Sequence, residues 1–417
     1  MRGRRFLQAA LGAGAALVLA AAGCTFNLDS VPRPGSGGTG GIGGAGGAGG
    51  IGGAGGARDG GPGDGPRPLM FANTTSIPVG SGAIALVVAD LNGDDRADVA
   101  TANPAANTIS IVLQSSQRGS FVVGSDLVVG GVPSAIAAGD LNVDGRLDLA
   151  VARRGENTVA LLVQQGAPGE FGAPLTLITG GNGSEPSGVV IADLNHDGAP
   201  DLAVSNAGSA SLSVFLNGGA GQFRTLNAYT VGVSPSALAV GPFSSATGPS
   251  LAVACAGSGD VWVLPGLGNG TFGPPSNNMV ATGLTQVVSV DVNGDGLTDL
   301  LTTVGPANQV RALLQQAAGS FAAGPSFATG TAPNAIAVAD LDGDGTADFV
   351  VADHGSNQLT VFQHDPAAPQ GFRPLTIPVG ASPRAVAIGD LDSDGKLDLV
   401  TANDAPSAGS ITILFQQ

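Results

Sequence analysis

An acidic nonapeptide recurs along this chain at a spacing of about 50 residues, and no other feature restricts its fold so tightly. Copies begin at Asp90, Asp140, Asp193, Asp291, Asp340 and Asp390, and a degenerate copy at Pro242 fills the one gap. Phenylalanines keep the same period: Phe71, Phe121, Phe171, Phe223, Phe272, Phe321 and Phe372 each stand about twenty residues ahead of a nonapeptide. Two independent markers therefore count seven units. A unit of this length cannot bury its apolar face alone, so the units must pack on one another.

Each unit reads as four short strands. Ala83 to Ala89 is continuously apolar, as an inner strand covered on both faces would be. A second apolar strand such as Leu149 to Ala152 follows the nonapeptide. Next comes an alternating one such as Thr108 to Leu113, which its period of two predicts to be half-buried. The Phe-led segment makes the fourth. Turns fall at Gly130-Gly131-Val132-Pro133 and Val233-Ser234-Pro235. Four-stranded sheets repeated radially form an all-β, seven-bladed propeller. The first Phe-led strand, Phe71 to Val79, has no blade before it, and Ile411 to Phe415 lacks an outer neighbour. Their pairing would close the ring and remove both open edges.

The nonapeptide is where the chemistry lies. In Asp140-Leu141-Asn142-Val143-Asp144-Gly145-Arg146-Leu147-Asp148, oxygens stand at positions one, three, five and nine, and the glycine at position six permits a sharp bend. Hard Ca²⁺ takes six to eight such oxygens. One match would mean little, because metal-free turns use the same residues. Six at a fixed period mean more, and they hold about two thirds of the 32 acidic residues. Crowded carboxylates repel unless neutralised. Six divalent ions would offset more than half of the net charge of −16, so the acidity reads as a metal signature.

Phe171-Gly172-Ala173-Pro174, Phe272-Gly273-Pro274-Pro275 and the Asp-rich loops resemble the FG-GAP/VCBS repeat family, known best from integrin alpha-chain propellers. The resemblance covers Met70 to Gln417. It implies calcium sites in the hairpin joining the first two strands of a blade, about six ions in all. The implied ligands are Asp140, Asn142, Asp144 and Asp148, with Asp90, Asn92, Asp94 and Asp98, and Asp193, Asn195, Asp197 and Asp201. The remaining loops supply Asp291, Asn293, Asp295 and Asp299; Asp340, Asp342, Asp344 and Asp348; and Asp390, Asp392, Asp394 and Asp398. Two departures stand out. The unit from Pro242 to Ser250 has lost every carboxylate, so the fourth blade is expected to be metal-free. In the first loop Asp95 replaces the sixth-position glycine, which predicts strain there.

Ahead of the repeat, residues 1–23 pass from Arg2, Arg4 and Arg5 through an Ala/Leu stretch to Ala21-Ala22-Gly23, the pattern of an export signal. Small residues before Cys24 resemble a bacterial lipoprotein cleavage box, which implies acylation of Cys24 and a lipid anchor at a bacterial membrane, the outer membrane or cell surface. Residues 24–69 are dominated by Gly-Gly-Ala and Gly-Gly-Ile steps with nothing to offset the entropy of ordering. They read as a tether spanning on the order of 35–40 Å, and the propeller then occupies 70–417.

What the chain does is less constrained. Fifteen Arg and the single Lys396 form no basic stripe, which sets nucleic acid aside. Cys24 and Cys255 lie in segments with different tasks, so no disulfide framework is expected. His196 falls inside an acidic loop, and His354 and His364 read as turn residues with no second ligand nearby. Cys255 reads as a small, partly buried thiol, and Trp262 as inter-blade packing in the fourth unit. These observations favour a monomeric, non-catalytic binding or scaffold module. Its contacts would come from loops on the face away from the acidic hairpins, such as Arg153, Arg154, Glu156 and Asn157, or Asp353, His354 and Asn357. The ligand, protein or glycan, stays open. The alternative is a carbohydrate-active protein, a lectin or polysaccharide lyase, on the same fold.

Overall fold

The computed structural model describes residues 19–20, 68–243, 248–316, 319–405 and 408–417. Cys24, most of the export signal and the Gly-rich segment up to residue 67 lie outside the described residues, apart from Leu19–Ala20, which pairs with Ala137–Ala138. From Phe71 onward the strands form seven antiparallel sheets, each the blade of a propeller. The inner strands are Ala85–Ala89, Pro133–Gly139, Pro186–Ala192, Pro235–Gly241, Leu284–Val290, Pro333–Ala339 and Pro383–Gly389. Every blade runs in the same sense. All hairpins between first and second strands therefore open on one face, and all turns between second and third strands on the other.

The ring closes as the sequence predicts. Phe71–Val79 is the outer strand of the seventh blade, paired with Gly409–Gln416 from Phe71↔Gln416 to Val79↔Gly409. The pairing is extended by the Gln417 N–H donating to the Met70 carbonyl at 2.9 Å. A sheet that would otherwise end in two unpaired edges is completed by its own chain ends.

The apolar core lies between blades rather than within them. Seven buried clusters fill the seven seams, for example Ala85, Leu91, Ile136 and Leu149 between blades 1 and 2, and Val88, Val99, Val400 and Ile413 between blades 7 and 1. Stacking of this kind covers both sides of the middle strands, which corrects the half-buried reading of Thr108 to Leu113, part of the strand Thr108–Gln114. Nearly all of that strand is buried, Thr108 and Ser110 included. Its alternation sorts an apolar side from a polar one that is equally covered. Asn103 Nδ2 donates to Ser110 Oγ at 2.9 Å, and Asn206 and Asn403 repeat the bond with Ser213 and Thr412.

Hydrogen bonds carry the packing around the ring. The second residue of an inner strand donates its side chain to a backbone carbonyl of the next blade: Ser134 to Pro186 at 2.7 Å, Ser187 to Pro235 at 2.6 Å, Ser236 to Leu284 at 3.0 Å, Thr285 to Pro333 at 3.2 Å and Asn334 to Arg384 at 2.6 Å. The outer strands are less regular. Phe171 and Phe272, the two phenylalanines followed by Gly-x-Pro, make isolated bridges to Gln164 and Gly266, and their outer strands start only at Leu175 and Ser276. A proline three residues on cannot donate to the ladder, so pairing resumes beyond it.

Candidate functional site

Six acidic loops crown one face. In each, the first-position carboxylate folds over the hairpin and gathers backbone N–H groups. Asp140 accepts the Asp144 N–H at 2.9 Å on one oxygen and the Gly145 N–H at 2.8 Å on the other. Asp193, Asp291, Asp340 and Asp390 repeat the pair. In the first loop the Asp95 N–H takes the glycine's part at 2.8 Å with φ 65, so the loop keeps its shape around a backbone conformation that disfavours its side chain. Position four is left-handed as well. Gly93, Gly294 and Gly343 hold it in three loops, but Val143, His196 and Ser393 hold it in the others at φ 61, 61 and 60. Only half the loops carry glycine there, so the pattern of residues signals this position weakly.

The ninth-position carboxylates Asp98, Asp148, Asp201, Asp299, Asp348 and Asp398 are buried at the start of each second strand. One oxygen accepts the N–H of the loop's second residue, and the other accepts an N–H of the third strand. For Asp348 the donors are Leu341 at 2.9 Å and His364 at 2.7 Å; for Asp98 they are Leu91 at 2.9 Å and Gln114 at 2.8 Å. One side chain thus ties three parts of a blade. Burial pushes Asp98, Asp348 and Asp398 up to about 7, and Asp148, Asp201 and Asp299 up to about 6. The backbone donors pull these values down, and neighbouring loop carboxylates push them up again. At neutral pH such a site calls for a proton or a cation.

Positions one, three and nine converge where all three are aspartates. Carboxylate oxygens of Asp340, Asp342 and Asp348, and those of Asp390, Asp392 and Asp398, lie within 4.8 Å of one another, and each group could hold a metal ion. The fifth-position residues stand outside these groups: Asp344 accepts the Thr346 N–H at 2.7 Å, and Asp394 the Lys396 N–H at 2.8 Å. In three of the other loops the third-position asparagine donates to the fifth carboxylate, Asn142 to Asp144 at 3.1 Å, Asn195 to Asp197 at 2.9 Å and Asn293 to Asp295 at 3.0 Å. In the first loop Asn92 Oδ1 accepts the Asp94 N–H at 3.0 Å. The donors are all oxygen, on loops shaped by their own backbone, which suits a hard cation.

Three of the loops are also tied to the following blade by a side-chain amide. Asn217 Nδ2 donates to the Leu141 carbonyl at 2.7 Å and Gln416 Nε2 to the Leu341 carbonyl at 2.8 Å, and Gln164 makes the same bond to Leu91. The fourth blade differs. Phe243 is fully buried there, edge-on to Phe321 at 6.3 Å, and Ser250 stands at the ninth position.

A family model for the FG-GAP-like repeat matches residues 90–151, 140–204, 291–351 and 340–401, over half of the chain. The chain belongs to the FG-GAP-like repeat family. The interval between the matched stretches spans the carboxylate-free fourth unit. No curated protein matches this FG-GAP propeller in sequence. Among solved structures, BBS1N in complex with ARL6DN superposes with a TM-score of 0.59 at 14% identity, over 83% of this chain and 96% of that one. A virginiamycin B lyase from Staphylococcus aureus gives 0.56 at 13%, over 83% and 99%. A putative 6-phosphogluconolactonase from Bacteroides uniformis gives 0.53 at 15%, over 74% and 86%. Identities this low speak for the fold alone.

The other candidate residues of the FG-GAP propeller fall into place around these loops. His196 is exposed in its loop, and His364 ends a third strand instead of sitting in a turn, its Nδ1 3.0 Å from Thr346 Oγ1. Cys255 is fully buried rather than partly so, its thiol pushed up to about 12 by burial first and Asp260 second. Trp262 packs on the core between blades 3 and 4, and its indole N–H donates to Asp260 at 2.9 Å. On the opposite face Arg153 is buried and paired with Glu156 at 2.8 Å. His354 lies near Arg384 and Asp404, its imidazole held below the usual value by burial and then by Arg384.

Proposed function

We propose that this FG-GAP propeller is a calcium-loaded, non-catalytic binding module that is exported, held on a bacterial membrane by a lipid on Cys24, and meets its ligand with the face opposite the acidic loops. The observation that carries the reading is the division of labour between the two faces. One is given over to six near-identical loops, each with an all-oxygen donor set around a buried carboxylate. The other varies from blade to blade, with Arg153 and Glu156 in one turn and His354, Arg384 and Asp404 around another. Calcium suits the loops because it accepts irregular cages of carboxylate and carbonyl oxygens, whereas Mg²⁺ holds its water. Positions one, three, five and nine would hold the ion, and its charge would relieve the crowding that lifts the ninth carboxylate. That BBS1N was crystallised with a second protein supports a propeller of this kind as a platform for protein partners.

Calorimetric titration of the chelator-stripped protein tests the metal reading, with a stoichiometry near six expected; two ions or fewer would overturn it. Intact-mass measurement of protein extracted from membranes tests the anchor, an unmodified N-terminus refuting it. Turnover of an acidic polysaccharide would displace the non-catalytic part of the reading.

A further inference from the structure

We propose that Arg118 is a resident cation for the acidic loop of the seventh blade, which an entering ion must displace, and that it makes this site weaker than its twin in the sixth. The inference rests on the calcium reading above. Arg118 belongs to the turn between the third and fourth strands of the first blade, yet its guanidinium lies on the seventh: Nε is 2.8 Å from Asp392 Oδ2, and Nη2 is 2.5 Å from Asp394 Oδ2. Among the described residues no other ion pair joins two blades. The carboxylates are recessed, with side chains 7% and 13% exposed against 63% for Arg118, so the guanidinium is applied from outside.

The loops at Asp340 and Asp390 form a natural pair for comparison. Both carry aspartate at positions one, three, five and nine, and both bring positions one, three and nine within 4.8 Å. They differ in what meets positions three and five. In the sixth blade these are neutral donors, the Gln363 amide 2.6 Å from Asp342 and the backbone N–H and hydroxyl of Thr346 on Asp344. In the seventh, one planar, weakly hydrated cation forks across both carboxylates. Counted from the phenylalanine markers, the sequence positions equivalent to Arg118 are Pro168, Ala220, Asn269, Ala318 and Pro369, so the charge is particular to this seam. An ion that takes both carboxylates must part them from the guanidinium, and the exposed stem lets Arg118 swing away.

Two consequences follow. The Asp390 site binds calcium about threefold more weakly than the Asp340 site, the measure of an ion pair made by an exposed guanidinium. Arg118 also matters to stability with opposite weight in the two states: without metal it neutralises the closing seam, and with metal it is idle. Titration of the full chain, with Asp340→Asn and Asp390→Asn variants assigning the two sites, tests the first. Arg118→Gln is expected to tighten one site about threefold, with the gain lost in the Asp390→Asn background. Melting in EGTA and in saturating calcium tests the second: Arg118→Gln lowers the midpoint only in EGTA. An unchanged affinity at the Asp390 site, or an equal loss of stability in both conditions, overturns the inference while calcium binding elsewhere stands. Failure of the parent chain to take up calcium overturns the calcium reading, and this inference with it.

Discussion

The fourth blade and its six sisters solve the same structural problem with different materials. In the six, the ninth-position aspartate accepts N–H groups from the loop and from the third strand. In the fourth, Ser250 Oγ accepts the Gly266 N–H at 3.1 Å, which preserves the third-strand half of that tie. The second strand there begins early, at Gly248, opposite Gly266, and Phe243 fills the space beneath. A hydroxyl, a longer strand and a buried ring therefore suffice to build a blade. The other loops add an aspartate at position one that gathers the hairpin's N–H groups, one at position five and, in two of them, a third at position three. They are costly to crowd around a buried charge, and the proposed cation would relieve that cost.

Stripping the metal is the strongest way to break this comparison. With a dissociation constant near ~0.1 mM per site, ~1 mM calcium contributes about 1.4 kcal/mol each, or about 8 kcal/mol over six sites. EGTA should lower the melting temperature sharply, and amide exchange should quicken in six blades and least in the fourth. A melting curve indifferent to EGTA would reduce the loops to turns.

Acidity comes next. The ninth-position carboxylates have folded-state values raised above the unfolded one of about 3.9. Folded protein then holds more protons than unfolded, so the stability they contribute is full below about 3.9 and is lost as pH rises through about 6 to 7. Metal-free protein is expected to gain about 5 kcal/mol between pH 8 and pH 6. Calcium-loaded protein should show the reverse trend, since protons compete with the ion. Chemical denaturation at several pH values reads both slopes, and equal slopes would contradict the metal reading.

The fourth blade offers a smaller and cleaner contrast. Phe243→Ala should cost about 4 kcal/mol, the range for emptying a buried ring, by the same amount in EGTA and in calcium. The least effect on metal-free stability is expected of Asp348→Ser, which copies Ser250 into the sixth blade: a change of about 1 kcal/mol with one fewer ion bound in the titration. Loss of several ions together would show that the loops do not act independently.

The seven units and the clasp between chain ends were legible in the sequence because both depend on period. Phe71 without a blade before it and Ile411 without an outer neighbour identify one another. The positions of the loop carboxylates were legible for the same reason. Other features were not, because they depend on a neighbour that the local pattern does not contain. The alternation of Thr108 to Leu113 predicts one covered face, but stacked blades cover two. The second left-handed position is occupied by Val143, His196 and Ser393, none of which announces it. The reach of Arg118 to Asp392 joins residues 274 positions apart, beyond any motif.

The clasp also bears on how the protein comes to be folded. Phe71–Val79 is made early, whereas its partner Gly409–Gln416 is the last strand of the propeller to be made. Intermediate blades can stack as they emerge, but the first strand must wait for nearly the whole chain, and closing so long a loop slows this step more than it weakens the product. Until Gly409–Gln416 arrives, Phe71–Val79 has no partner and the seventh blade is incomplete. Ring closure therefore waits for the propeller's last strand, and a propeller cut short within that strand would be held in an open, aggregation-prone arc.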